Sequence, residues 1–110
     1  MGKISDIALT GLSGRTYRFG VFTLDANFRN MGAVYVFARR SVDPFGQARH
    51  HPVYVGQTRK LGDRLSGQRD WPFLRRKRAN CVCVHIDWND DLRARIENDL
   101  IGYYHPTWSN

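Results

Sequence analysis

The chain of 110 residues is short of acidic side chains, with ten aspartates and glutamates against seventeen lysines and arginines, and it holds only two cysteines. It has no apolar run long enough to span a membrane, and its amino terminus lacks the apolar core of a signal peptide. Membrane-spanning and secreted classes are therefore not expected, and a cytoplasmic protein is. No stretch is low-complexity or repetitive, so the length and the 42% hydrophobic content predict a single domain with one modest core. Cys81 and Cys83 stand on alternate residues of a strand-like run and point to one face, as reduced core thiols. His85 shares that face. Residues four apart on a strand lie roughly 13 Å from one another, too far to ligate one zinc ion without distortion.

The shortage of carboxylates leaves a formal charge of +7. Its placement is more informative than its size. From residue 59 to 78, eight basic residues stand against Asp63 and Asp70, which puts +6 of the +7 into twenty residues. Such a patch faces phosphates, anionic lipid or an acidic protein, or it is a solvated surface that maintains solubility; charge alone does not choose among these.

What is there is organised around residues 33–65. Two short apolar strands, 33–37 and 52–56, are followed directly by a basic helical segment at 57–65. Side chains alternate along a strand, so Tyr35 shares a face with Ala33 and Phe37, and Tyr54 shares one with Gly56. If the strands pair, both phenols sit on one face with their hydroxyls close. A helix beginning at Thr58, capped by that threonine and weakened in its middle by Gly62, presents Leu61 and Leu65 inward. Lys60 and Arg64 form a cationic stripe beside them. Two phenols and an arginine over a small sheet have the composition of a site for an anionic substrate.

Around this centre, two amino-terminal strands within 4–24 read as a hairpin packed beside the core, with Tyr17, Phe19 and Val21 on one face. Residues 39–51, with Asp43-Pro44 and Gly46, read as a long loop carrying Arg39, Arg40, Arg49, His50 and His51. Trp71-Pro72 breaks the helix, and a second short one carries Arg75, Arg76, Lys77 and Arg78. A strand at 80–87 turns Val82, Val84 and Ile86 inward. The last helix, capped by Asp90 or Asp91, runs to about Tyr104 with an apolar stripe of Leu92, Ile96, Leu100 and Tyr103. Glu97 falls on the flank of that stripe, where a carboxylate needs a cation, a donor network or a metal. Pairing with Arg93 one turn earlier and ligation of a metal both satisfy it.

In order along the chain, Ala33-Val34-Tyr35, Tyr54-Val55-Gly56, the run Thr58 to Leu65 around Arg64, Glu97 to Ile101 and Pro106 resemble the motifs of the GIY-YIG nuclease domain. The resemblance covers residues 33–110 and sets the domain proper at 32–110, with 1–31 as a hairpin extension. It implies an α+β (α/β) fold built on a small mixed three-stranded sheet flanked by helices. It also implies hydrolysis of phosphodiesters with one magnesium or manganese ion. By position, Tyr35 would activate or orient the attacking water, Tyr54 would assist, Arg64 would stabilise charge on the phosphate, and Glu97 would hold the metal. Gly56, Gln57 and Asn110 are its supporting positions. Gln57 stands where many members carry lysine, Gln68 where some carry histidine, and Asn110 lies one residue later than usual after the proline. Arg59, Lys60, Arg69, Arg75, Arg76, Lys77 and Arg78 are the expected nucleic-acid contacts. The expected substrate is DNA, with an RNA-cleaving nuclease or toxin, or a non-cutting binding module of the same fold, as alternatives. No helix-turn-helix or zinc finger is present, so target choice is expected from DNA structure, a partner protein or a weak groove preference.

Overall fold

A computed structural model describes residues 2–106. Five strands, β1 (Lys3–Thr10), β2 (Thr16–Thr23), β3 (Ala33–Val42), β4 (Ala48–Thr58) and β5 (Cys81–Ile86), form one curled sheet in the order β1-β2-β5-β3-β4. Three helices accompany them: α1 (Leu61–Gln68), α2 (Pro72–Arg76) and α3 (Asp90–Tyr104). Every neighbouring pair is antiparallel. The mixed three-stranded sheet expected from the sequence is therefore incorrect. After β4 the chain crosses one face through α1 and α2, passes over β3 and enters on its far side as β5. It thus runs antiparallel to β3 instead of beside β4. The amino-terminal hairpin does not merely pack on this core. Gly20 to Thr23 of β2 pair with Val84 to Cys81, so the hairpin extends the same sheet.

Burial follows from that order. β5 is central, so Cys81, Val82, Cys83 and Val84 are all buried, as a strand covered on both faces requires. One face holds Phe19, Val21, Val36, Cys81 and Cys83 under Ile96 and Leu100 of α3; Tyr17 packs at its margin. The other holds Tyr35, Phe37, Val82 and Val84 under Leu61 and Leu65 of α1 and Phe73 and Leu74 of α2. Two expectations for the strands fail here. Val82 and Val84 are inner but Ile86 is exposed, and the supposed long loop at 39–51 is mostly strand, with only 43–47 as turn.

The helices differ from expectation at their ends. α1 starts at Leu61, and Thr58 belongs to β4, its hydroxyl accepting from the Lys60 amide at 3.0 Å. α3 is capped by Asn89, whose side chain accepts from Leu92 N at 2.9 Å, and not by Asp90 or Asp91. Its buried stripe is Arg93, Ile96 and Leu100; Leu92 and Tyr103 are exposed. No helix among the described residues is long and apolar enough to cross a membrane.

One contact fixes α3 to the hairpin. Asp99 accepts from Ser13 N at 2.8 Å, Ser13 Oγ at 2.6 Å and Tyr17 Oη at 2.6 Å, while its carbonyl accepts from Leu12 N at 3.0 Å. These donors, the Ser13 hydroxyl foremost, hold the Asp99 carboxyl below its ordinary value of 3.8. A depressed carboxylate pKa stabilises the fold above the unfolded value, and that contribution disappears as pH falls through the folded one. Asp99→Ala is therefore expected to lower the thermal midpoint at neutral pH, with the gap to the unmodified chain narrowing as pH drops below 3.8. Thermal melts across that range check it. A gap of constant size would show that the carboxylate's charge contributes nothing.

Candidate active site

Tyr35 and Gly56 face each other across β3 and β4. A Cβ on Gly56 would lie 2.7 Å from both Cζ and Oη of Tyr35, so the phenol lies across a strand position that only glycine leaves open. Tyr54, opposite Phe37, brings its ring centroid within 6.1 Å of that of Tyr35. The juxtaposition of the two tyrosines expected from strand alternation is thus present. Trp71 meets Tyr54 edge-on at 5.3 Å and stacks on Phe73 at 4.8 Å, walling the cluster.

α1 is set down on this cluster by its first turn. Leu61 N donates to Met31 O at 3.0 Å, Gly62 N to Arg29 O at 3.2 Å and Asp63 N to Asn30 Oδ1 at 2.8 Å. The free amides of the helix start are thereby satisfied by the segment before β3. Gly62 is the second residue of the helix, not its middle, and a Cβ there would stand 2.3 Å from Phe28 O. With Leu61 and Leu65 buried, Arg64 and Gln68, four apart, share the flank above Tyr35.

Tyr35 is 0% exposed, and its hydroxyl donates to Gln68 Oε1 at 2.8 Å while accepting from Arg64 Nη1 at 3.3 Å. Burial pushes the phenol up to about 12, with the Arg64 bond opposing, so it is neutral at physiological pH. Arg64 is held charged, chiefly by the same bond to Tyr35.

On the other side of the site, Arg93 is 2% exposed and fully engaged. Its Nε donates to Gln57 Oε1 at 3.0 Å, Nη1 donates to Asp87 O at 3.0 Å, and Nη2 contacts Asp90. Asp90 also pairs with Arg59 at 2.9 Å, and that bond, followed by the one from Arg93, holds its carboxyl below the ordinary range. Arg93 is therefore occupied elsewhere and does not pair with Glu97. Glu97 is half-buried and makes no hydrogen bond or ion pair among the described residues. Burial raises its pKa, and Arg64 opposes the rise. Between these walls runs a groove of about 840 Å³ lined by Arg64, Gln68, Gln57, Thr58 and the chain Arg59–Asp90–Arg93.

The remaining expected contacts separate into groups. Lys60 is exposed on the groove. Arg69 is directed inward, donating to Asp25 O at 3.2 Å and Ala26 O at 2.9 Å. Arg75, Arg76 and Arg78 are exposed at the end of α2, away from the groove lining, and Lys77 lies 5.8 Å from the centroid of Phe73. Asn110 lies outside the described residues. Sequence reasoning considered Arg93 only as a partner for Glu97, not as a buried residue of the site, and passed over Gln68 as a mere replacement. The signal for Gln68 was its position one turn after Arg64; for Arg93 it was the spacing to Ile96 and Leu100.

Among the described residues no group of three or more histidine, cysteine, aspartate or glutamate side chains forms a metal cluster. Glu97, like Tyr35 and Tyr54, is not among the residues lining the groove. It lies within electrostatic reach of Arg64, and a partly desolvated carboxylate there fits one magnesium-like ion that keeps several waters and takes its other ligands from a phosphate. No family model, curated protein or solved structure matches the chain.

Gly56→Ala is expected to destabilise the fold by about 1–3 kcal/mol through overpacking. It should also let the Tyr35 hydroxyl titrate nearer its ordinary value of 10.0 as the ring is displaced toward solvent. Denaturant unfolding and ultraviolet titration of the phenols measure both. Unchanged stability would show that Tyr35 does not depend on this close approach.

Proposed function

We propose that the chain is a metal-dependent endonuclease of the GIY-YIG kind, acting on DNA. The observation that carries this is Arg64: an exposed cation in the groove lining, anchored on a buried phenol and acting electrostatically on Glu97, a carboxylate with no partner among the described residues. A guanidinium held in place before substrate arrives stabilises charge growing on phosphate oxygens without reorganising. In hydrolysis the oxygen of water bonds to phosphorus and the bond to one sugar oxygen breaks. One water proton passes to solvent and the leaving oxygen becomes a hydroxyl.

A neutral Tyr35 whose hydroxyl is engaged on both sides is suited to orienting Arg64, and through it the phosphate. Its role as base for the water is less favoured by a pKa of about 12. Gln68 accepts from the phenol hydroxyl, and Gln57 engages Nε of Arg93. Glu97 would hold magnesium or manganese, which when bound adds positive charge at the phosphate. The buried free thiols Cys81 and Cys83 accord with a cytoplasmic setting.

Glutamine keeps the size of Glu97 and a carbonyl oxygen but loses the charge a hard cation needs. Glu97→Gln is expected to abolish metal-dependent cleavage of labelled DNA while metal-free binding survives or tightens. Full turnover in that variant would contradict the proposed site. A chain that binds without cutting under any metal would be the non-cutting module instead.

A further inference from the structure

β5 accompanies β3 only from Ala33 to Ala38, yet β3 and β4 stay paired beyond it, from Arg39 with His51 to Val42 with Ala48. The two strands thus leave the sheet as a free ribbon. Its turn is well made: Asp43 Oδ1 accepts from Phe45 N and Gln47 N at 2.9 Å each, and Gly46 takes the positive φ of 84°. Its base is braced by Asn80, whose side chain accepts from Arg40 N at 2.7 Å and donates to Arg40 O at 2.8 Å. A hairpin fixed at both ends in this way is an arm and not a slack loop.

Its surface is one-sided in charge. Arg39, Arg40, Arg49, His50 and His51 lie on it, and its only carboxylate, Asp43, is engaged in the turn. At the tip Phe45 is 91% exposed, an apolar ring on a basic arm with nothing packed on it. At the root, Arg39 and His51 line a pocket of about 330 Å³ with Arg76, Lys77 and Arg78. Among the described residues, that pocket has no carboxylate in its lining and no residue in common with the Arg64 groove. The exposed cations of α2 and those of the ribbon are therefore one surface.

We propose that this ribbon enters the major groove of duplex DNA, with Arg39 and Arg49 on phosphates, Phe45 against base edges, and the basic end of α2 on the adjoining backbone. The inference deepens the nuclease reading and rests on it for the substrate class. The dimensions agree: a two-stranded ribbon fits a groove about 12 Å wide, and four residue pairs at about 3.4 Å each reach past its depth of about 8.5 Å. The deep, narrow major groove of duplex RNA does not admit it. A second copy of the chain is disfavoured as occupant, because it would bring like charge against like.

The test compares the unmodified chain with Arg39→Ala/Arg49→Ala and with Phe45→Ala, all exposed positions, in metal-free binding to duplex DNA and duplex RNA over a range of salt. The double variant is expected to lose roughly tenfold in DNA affinity or more and to flatten the logarithmic salt slope by about 2. Phe45→Ala should weaken DNA binding without changing the slope. Methylation of guanine N7, in the major groove, should interfere with binding by the unmodified chain. Unchanged DNA affinity in the variants, equal binding to duplex RNA, interference only at adenine N3, or no duplex binding at all would each overturn the ribbon's role. Parallel cleavage assays separate the two ideas. A chain that binds through the ribbon but never cuts refutes the nuclease alone, and one that cuts with unaltered affinity after ribbon substitution refutes the ribbon alone.

Discussion

A phenol buried as completely as Tyr35 must satisfy its oxygen within the protein, because no water reaches it. It does so by donating to Gln68 and accepting from Arg64, both on one flank of α1. Several features of the fold serve that single arrangement. Gly56 leaves the space in which the ring lies, the carbonyls of Arg29 and Met31 with the Asn30 side chain fix the start of α1, and Leu61 and Leu65 set its rotation. The bond to Tyr35 thus ties one end of the guanidinium to the sheet before any anion is present.

Among the described residues, charge on the far wall is engaged away from Glu97. Arg93, buried on α3, would be the natural partner one turn away, but Gln57, the carbonyl of Asp87 and Asp90 each engage one of its three nitrogens. A buried cation with one partner removed is costly, so these groups constrain each other strongly. Farther along α3, Asp99 ties the helix to Ser13 and Tyr17, which couples the placement of Glu97 to the amino-terminal hairpin. The hairpin is thus part of what positions the carboxylate, although it contributes nothing to the groove lining.

The period-two pattern of Ala33 to Phe37 and of residues 52–56 made the placement of Tyr35 and Tyr54 on one face legible, because alternation acts within one strand and its neighbour. The Leu61–Leu65 stripe was legible for the same local reason. Strand order was not. Whether the chain re-enters beside β4 or beyond β3 depends on how α1 and α2 cross the sheet, a long-range choice that leaves no local pattern in Cys81 to Ile86. The ribbon was misread because Arg39 to His51 has no apolar face, its half-buried pair being Arg40 and His50, and so no alternation of apolar and polar residues to betray a strand. Arg93 was read as a partner of Glu97 and not as part of the buried stripe because a buried arginine breaks the apolar rule that identifies a stripe, and its compensation comes from Gln57 and Asp87, outside its own helix.

The central claim is that the Tyr35 hydroxyl exists to hold Arg64 and not merely to fill the core. Tyr35→Phe separates the two, since it keeps the ring and removes only the oxygen. Single-turnover cleavage of labelled DNA alongside denaturant unfolding of the same variant is the direct measurement. Loss of cleavage by roughly a hundredfold or more, with stability changed by only about 1 kcal/mol, is the expected result. Near-normal cleavage in a stably folded Tyr35→Phe chain would assign the tyrosine to packing and contradict the account.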